Sequence, residues 1–262
     1  MQREIKKIFD TLSLFPYNTQ RTYKNALREY LQFTNNNLDK TLIQDYINYI
    51  AKRNNASSVK LKYYALKKIF KILNDPISFE VVLPREIKKE PITLTEKQLD
   101  LYYKAVKKIK NKQVRTILEL LPRTGLRISE LLNLTVDDIK KENDIYYLRI
   151  KGKANRIRKV VLGNKAKEIL LDYLSWNHNT DKIFTVTDEL VRYYLRRLRK
   201  SLNIPNLTPH TLRHTFASLL LQNGVDVKTI SELLGHHSVV FTLKTYCHTT
   251  LEQKQKAVNI LD

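Results

Sequence analysis

Cysteine is nearly absent: Cys247 is the single one in 262 residues. One thiol excludes an internal disulfide framework and a thiolate zinc cluster, and it places the chain in a reducing cytoplasm. Acidic residues are also scarce, 26 Asp and Glu against 47 Lys and Arg, which leaves a net charge of +21. That surplus is spread along the whole chain rather than held in one tail, so the surface favours a polyanionic partner. No stretch approaches the ~20 apolar residues of a membrane span, and the opening "MQREIKKIFDTLSLF" is too charged for the apolar centre of a signal peptide. A soluble, cytoplasmic protein without membrane contact is expected. Glycine is rare too, with only five, and all of them, Gly125, Gly152, Gly163, Gly224 and Gly235, lie in the last 140 residues. The long stretch before Gly125 therefore has few breakers and should be helical.

What is present supports that division. The hydrophobic content of 42% is globular, and the length suits two domains better than one. "NTQRTYKNALREYLQF" sets Tyr23, Leu27, Tyr30, Leu31 and Phe33 at helical spacing, with Asn18 or Thr19 as the N-cap. "TLIQDYINYIAKR" repeats the pattern with Leu42, Ile43, Tyr46, Ile47 and Ile50. A third helix, "SSVKLKYYALKKIFKIL", carries Val59, Leu66, Ile69, Phe70 and Ile72 among Lys60, Lys62, Lys67, Lys68 and Lys71. Those lysines could follow a nucleic-acid strand, although a solvated helix face explains the same spacing.

Pro84 and Pro91 bracket a charged segment that runs into a capping box of Thr95 and Gln98. A domain boundary is expected there, with a linker over 85–93. Beyond it, "DIYYLRIKGKANRIRKVVL" reads as two strands, about 145–150 and 157–162, joined by a basic turn that holds Lys151 and Lys153. Helices are expected over 165–176 and 188–202 and from Pro209 onward. The second domain is thus mostly helical with a small sheet.

"TPHTLRHTFAS" raises the chemical question. His210 and His214 are four apart and could share a helix face around a metal. Arg213 between them argues against it, because a guanidinium cannot be deprotonated and repels a cation. A phosphate suits the group better: arginine donates to two oxygens at once, and the helix start after Pro209 supplies backbone donors. "RTGLRISELLNL" offers a second arginine, Arg127, opening a helix whose Ile128, Leu131, Leu132 and Leu134 pack inward. "ELLGHHSVVFTLKTYCH" places His236 and His237 after a glycine helix end and then reaches Tyr246. Taken singly, a tyrosine at a helix end is an ordinary packing residue.

Taken in order, these segments resemble the tyrosine recombinases, the family of phage integrases and Xer chromosome-dimer resolution proteins. Its first arginine motif matches "TGLRISEL", giving Arg127 with Glu130 as the acidic position behind it. Its strand-turn lysine matches "KGKANR", where alignment on Gly152 and Asn155 selects Lys153 over Lys151. "HTLR" supplies His210 and Arg213, "LLGH" supplies His236, and "TLKTYCH" supplies the nucleophile Tyr246. His236 stands ten residues before Tyr246 and His237 nine; the "LGH" context favours His236, with His237 as the alternative.

The resemblance implies a mainly α fold with a small antiparallel β-sheet: a helical core-binding domain over 1–84 and an α+β catalytic domain over 94–262 that ends in a tail, 250–262. It implies a site-specific recombinase that cleaves double-stranded DNA through a 3'-phosphotyrosine, with no metal and no cofactor, acting in the nucleoid as a homo-oligomer in a tetrameric synapse. Arg127 and Arg213 would hold the phosphate, Lys153 would protonate the leaving 5'-oxygen, and His210 and His236 would orient the phosphate or move a proton. His214 and His237 would be structural or DNA-facing neighbours. The shortness of the chain suits a simple Xer-like architecture without an arm-binding domain. Type IB topoisomerases share this catalytic logic, and a non-catalytic DNA-binding protein of the same fold is the other alternative. The apolar residues Leu251, Ala257, Val258 and Ile260 of the tail favour the recombinase, whose tail would dock on a neighbouring protomer; folding back on its own domain is the plainer outcome.

Overall fold

The computed structural model describes residues 2–86, 91–152, 156–176, 181–235 and 239–246. The chain divides into two compact units, 1–89 and 90–262. The fold is mainly helical with one small antiparallel sheet, as its periodicities imply.

The first unit holds α1 (Gln2–Leu12), α2 (Tyr17–Phe33), α3 (Ile43–Ala51) and α4 (Ala56–Ile72). Ile8, Leu12, Leu27, Tyr30, Ile43, Tyr46, Leu66 and Ile69 are fully or almost fully buried between them, because each helix repeats its apolar residues at the 3.6-residue period. Tyr30 stands edge-on to Tyr46, 5.1 Å between ring centres, and to Phe70 at 6.1 Å. Its hydroxyl escapes the cost of burial by donating to the carbonyl of Asp39. Helix α2 begins two residues earlier than its polar residues suggest. The Pro16 carbonyl accepts from Thr19 and Gln20, at 2.8 and 3.0 Å, so Asn18 and Thr19 lie inside the first turn and Pro16 takes the cap position. Asn55 does cap α4, accepting from the Ser58 N–H at 2.8 Å.

Two lysines of α4 are ion-paired, Lys62 with Glu29 at 2.5 Å and Lys60 with Glu86 at 3.7 Å. Lys60, Tyr64, Lys67 and Lys71 follow one another at i, i+4, i+7 and i+11 along one side of the helix, with Tyr64, Lys67 and Lys71 exposed.

The second unit is built on α6 (Lys112–Thr124), with α5 (Glu96–Lys107), α8 (Asn164–Trp176), α9 (Asp188–Ser201) and α10 (Pro209–Gln222) packed around it. Val114, Ile117, Leu118, Leu120 and Leu121 of α6 are buried. Pro122 lies within the last turn of this helix and cannot donate to the Leu118 carbonyl. The hydroxyl of the buried Tyr102, on α5, donates to that carbonyl instead, at 2.9 Å. Gly125 ends α6 with φ +63°, a left-handed conformation that costs glycine nothing. A Cβ there would come within 2.4 Å of the Phe216 ring, so both the turn and the packing of α10 require glycine.

Between α6 and α8 the chain forms the short helix α7 (Ile128–Leu132) and a three-stranded antiparallel sheet, β1 (Ile139–Glu142), β2 (Ile145–Lys151) and β3 (Ile157–Val161). Strand β1, "IKKE", has no alternation that would single it out; it exists through its pairing with β2, Ile139 opposite Leu148. Strands β2 and β3 carry the expected pattern, with Leu148 paired to Val160 and Ile150 to Arg158 on the inner face. Two short helices, α11 (Val227–Leu234) and α12 (Val239–Tyr246), complete the described unit.

Candidate active site

Gly125 turns the chain out of α6 so that Arg127 becomes the N-cap of α7. Glu130, one turn on, then accepts from the Arg127 backbone N–H at 2.8 Å and from its guanidinium Nη1 at 2.9 Å. The arginine is thereby fixed on a rigid element while its side chain stays 40% exposed.

Glu130 itself is nearly enclosed, its side chain 8% exposed. Arg158 of β3 meets the carboxylate with a two-pronged fork, Nη1 to Oε1 at 3.0 Å and Nη2 to Oε2 at 2.8 Å. Arg213 brings its Nη1 to 3.9 Å from Oε2. Burial works against the charge of this carboxyl. The hydrogen bonds from Arg158 and from the Arg127 N–H, with the charges of both guanidinium groups, outweigh it and hold the group below its ordinary range.

Arg213 projects from α10 and is only 5% exposed. Its Nη1 donates to the Gly125 carbonyl at 2.7 Å and its Nη2 to the Leu234 carbonyl at 2.6 Å. It thus joins the turn before Arg127 to the end of α11, where Gly235 again adopts φ +63°. Thr208 caps α10, accepting from the Thr211 N–H at 3.1 Å, and Pro209 opens the first turn. His210 follows on the exposed side. Partial shielding of its ring, and then the charges of Arg213, Arg192 and Arg127, lower its pKa. The structure therefore brings Arg127, His210 and Arg213 into one electrostatic neighbourhood, although they lie more than eighty residues apart in part of the sequence.

His214 is half-buried on the next turn. Burial, followed by the nearby His210 and Arg213, pushes its pKa down from 6.5 to about 4. Above pH 6.5 the ring is neutral whether the chain is folded or not. Between about 6.5 and 4 the unfolded chain binds a proton that the folded one refuses, so stability falls as the pH is lowered through that window. His214→Asn is expected to lose less melting temperature than the parent chain between pH 7 and pH 4.5. Equal losses in the two proteins would show that His214 does not titrate this way.

Of the lysines in the hairpin, Lys151 ends β2 and is exposed. It lines an open cavity of about 800 Å³ together with Arg127, Glu130, Arg158, Lys228 and Gly235. Arg213 stands behind Glu130 rather than among these lining residues. Lys153 and His236, like His237, lie outside the described residues, as does the tail after Tyr246. Tyr246 is the last residue of α12; its side chain also lies outside the described part. Among the described residues, no group of three His, Cys, Asp or Glu is placed to hold a metal ion, and no helix is long and apolar enough to cross a membrane.

Arg158 is the residue that motif reading passes over. The alternation "IRKVVL" does contain the signal, because positions 158, 160 and 162 share the inner face of β3 and its extension. An arginine at such a position requires a buried anion.

Comparison with known proteins identifies the family. Residues 93–253 match the phage integrase family. The chain is 32% identical over 251 residues to the tyrosine recombinase XerA of Saccharolobus solfataricus, covering 89% of this chain and 83% of that protein. It is 31% identical over 267 residues to the tyrosine recombinase XerD of Oceanobacillus iheyensis, covering 89% and 88%. The fold is shared with the XerH site-specific recombinase in its pre-cleavage complex with difH substrate, with a TM-score of 0.75 at 21% identity over 93% of this chain and 79% of that one. A family match over more than half of the chain, together with relatives aligned along most of its length, establishes that this protein belongs to the phage integrase family and is a tyrosine recombinase.

Proposed function

We propose that the protein is a site-specific DNA recombinase in which Tyr246 is the nucleophile and Arg127, Arg213, His210 and His236 act on the scissile phosphate. The convergence of Arg127 and Arg213 on one saturated carboxylate, with His210 within reach of the charges of both, supports this reading most directly. Three guanidinium groups against one Glu130 leave a local excess of positive charge beside an open cavity, which suits a phosphodiester and the further charge that develops on it during transfer. The Tyr246 oxygen would bond to phosphorus as the bond to the 5'-oxygen breaks. The 3'-phosphotyrosine keeps the energy of the phosphodiester, so the free 5'-hydroxyl of the same or another strand can reverse the step. The exposed Lys67 and Lys71 on α4 would contact the DNA backbone without reading its sequence, and the helical unit 1–89 would act as the core-binding domain.

Joining strands of two duplexes requires several protomers. We assign the apolar residues of 250–262 to contacts within such a homo-oligomer on DNA, with a tetramer as the synapse. A type IB topoisomerase would instead rejoin the strand it cut, and plasmid relaxation without strand exchange on paired sites would favour that alternative.

The proton for the leaving oxygen would come from the β2–β3 turn. The resemblance selects Lys153; the cavity favours Lys151, which lines it beside Arg127. The test uses nicked duplexes that the parent chain itself has selected from a randomised pool by covalent capture. Removing the general acid is expected to slow adduct formation by about 10²- to 10⁴-fold. Replacing the bridging 5'-oxygen by sulfur should relieve that defect, because a thiolate leaves without a proton. Rescue of Lys151→Ala but not Lys153→Ala assigns the role to Lys151, and the reverse assigns it to Lys153. Equal defects on both substrates in both variants would remove the turn from the proton transfer.

A further inference from the structure

We propose that Arg158 is a positioning residue that limits Glu130 to a single bond with the Arg127 guanidinium and holds the end of α11 in place for the chemistry that follows it in the chain. The inference rests on the recombinase reading above. Glu130 offers about four acceptor positions on its two oxygens. Oε1 receives Arg127 Nη1 and Arg158 Nη1, while Oε2 receives the Arg127 backbone N–H and Arg158 Nη2. All four are filled. Without Arg158 the carboxylate would have half of its positions open, and the Arg127 guanidinium, which already gives it one Nη1 donor and is otherwise partly exposed, is the nearest cation to fill them. A second Arg127 donor would then turn onto Glu130 and draw the guanidinium away from the cavity.

A third donor of Arg158 ties a second element to the first. Its Nε donates to the Leu233 carbonyl at 3.0 Å, next to the Leu234 carbonyl that Arg213 holds. Both carbonyls belong to the C-terminal turn of α11, directly before the segment that leads to α12 and Tyr246. The bare backbone of Gly235 makes room for this contact: a Cβ there would come within 2.8 to 2.9 Å of three atoms of the Arg158 side chain. Arg158 therefore turns its donors toward the protein, and its side chain is only 13% exposed. Lysine keeps the charge but cannot make the fork and the Nε bond together.

The experiment measures single-turnover cleavage by the full chain on the nicked duplexes captured by the parent protein, alongside binding to the same duplexes and the melting temperature of each protein. Arg158→Lys is expected to bind the duplex within about threefold of the parent, while the cleavage rate at saturating protein falls about 10²-fold, the scale set by small misplacements of catalytic groups. The 5'-sulfur substrate should not relieve the defect, since the arginine acts through Arg127 and α11. A residue that served folding alone would lower the melting temperature or the fraction of active protein and leave that rate unchanged. If Arg158→Lys does not fold, Arg158→Gln, which keeps a donor for Leu233 but loses the fork, is read in the same way. A parent rate in a folded variant, or full rescue by sulfur, overturns the inference while leaving the recombinase reading intact. Absence of any adduct with the parent chain would sink the recombinase reading itself.

Discussion

Tyr246→Phe is expected to bind its DNA site as the parent chain does and to form no covalent adduct. The substitution removes one oxygen from the end of α12 and no charge, so the basic surface that supplies most of the binding is unchanged. Chemistry is lost altogether rather than reduced, because no other group can take up the phosphoryl bond at that position. Adduct captured on a nicked duplex and separated under denaturing conditions gives the measurement, and a gel-shift titration of the same duplex provides the control. An adduct formed by Tyr246→Phe and mapped to another tyrosine would move the nucleophile. The chain has fifteen tyrosines; Tyr30, Tyr46 and Tyr102 are buried in the cores of their units, whereas Tyr17, Tyr49, Tyr64 and Tyr193 are exposed, so the mapping of any adduct decides the assignment.

Arg213→Ala is expected to be damaging in two separable ways. The guanidinium supports the Gly125 and Leu234 carbonyls and approaches Glu130, all within a nearly closed environment. Leaving buried acceptors without donors costs about 1–3 kcal/mol each, so a fall in melting temperature of roughly 5–10 °C is expected for a domain of this size. Cleavage at a temperature where the variant remains folded should fall by about 10³-fold or more, as with other arginines that stabilise transferring phosphoryl groups. Arg213→Lys would recover part of the stability and little of the rate, because an ammonium cannot span the two carbonyls as a fork does. EDTA should leave the parent unaffected, since arginines would hold the charge that a divalent ion holds elsewhere. Cleavage by folded Arg213→Ala within tenfold of the parent would reduce the residue to a structural brace, and loss of parent activity on chelation would revive a metal at His210 and His214.

Much of the fold was legible without coordinates. The spacing of Leu27, Tyr30, Ile43, Ile47, Leu66 and Ile69 marks helices α2 to α4, and all of these residues are in the core. Thr95 with Gln98 marks the start of α5, and both halves of that capping box are formed. The misses have local causes. Strand β1 is polar on three of its four residues and acquires its conformation only from β2. The start of α2 is set by Pro16 rather than by the better capping residues that follow it.

By itself, the sequence determined the periodic elements, the basic surface, the glycine turns and the order of the motifs, because each of these depends on neighbours within a few positions. Only the tertiary structure decided how those motifs meet. Glu130 is joined to Arg158 across 28 residues, and Arg213 to Gly125 across 88 and to Leu234 across 21. No helical or strand period relates such positions. What unites them is that one buried carboxylate and the carbonyls at two helix ends had no solvent to satisfy them, and three guanidinium groups from α7, α10 and β3 were the donors that the packing brought within reach.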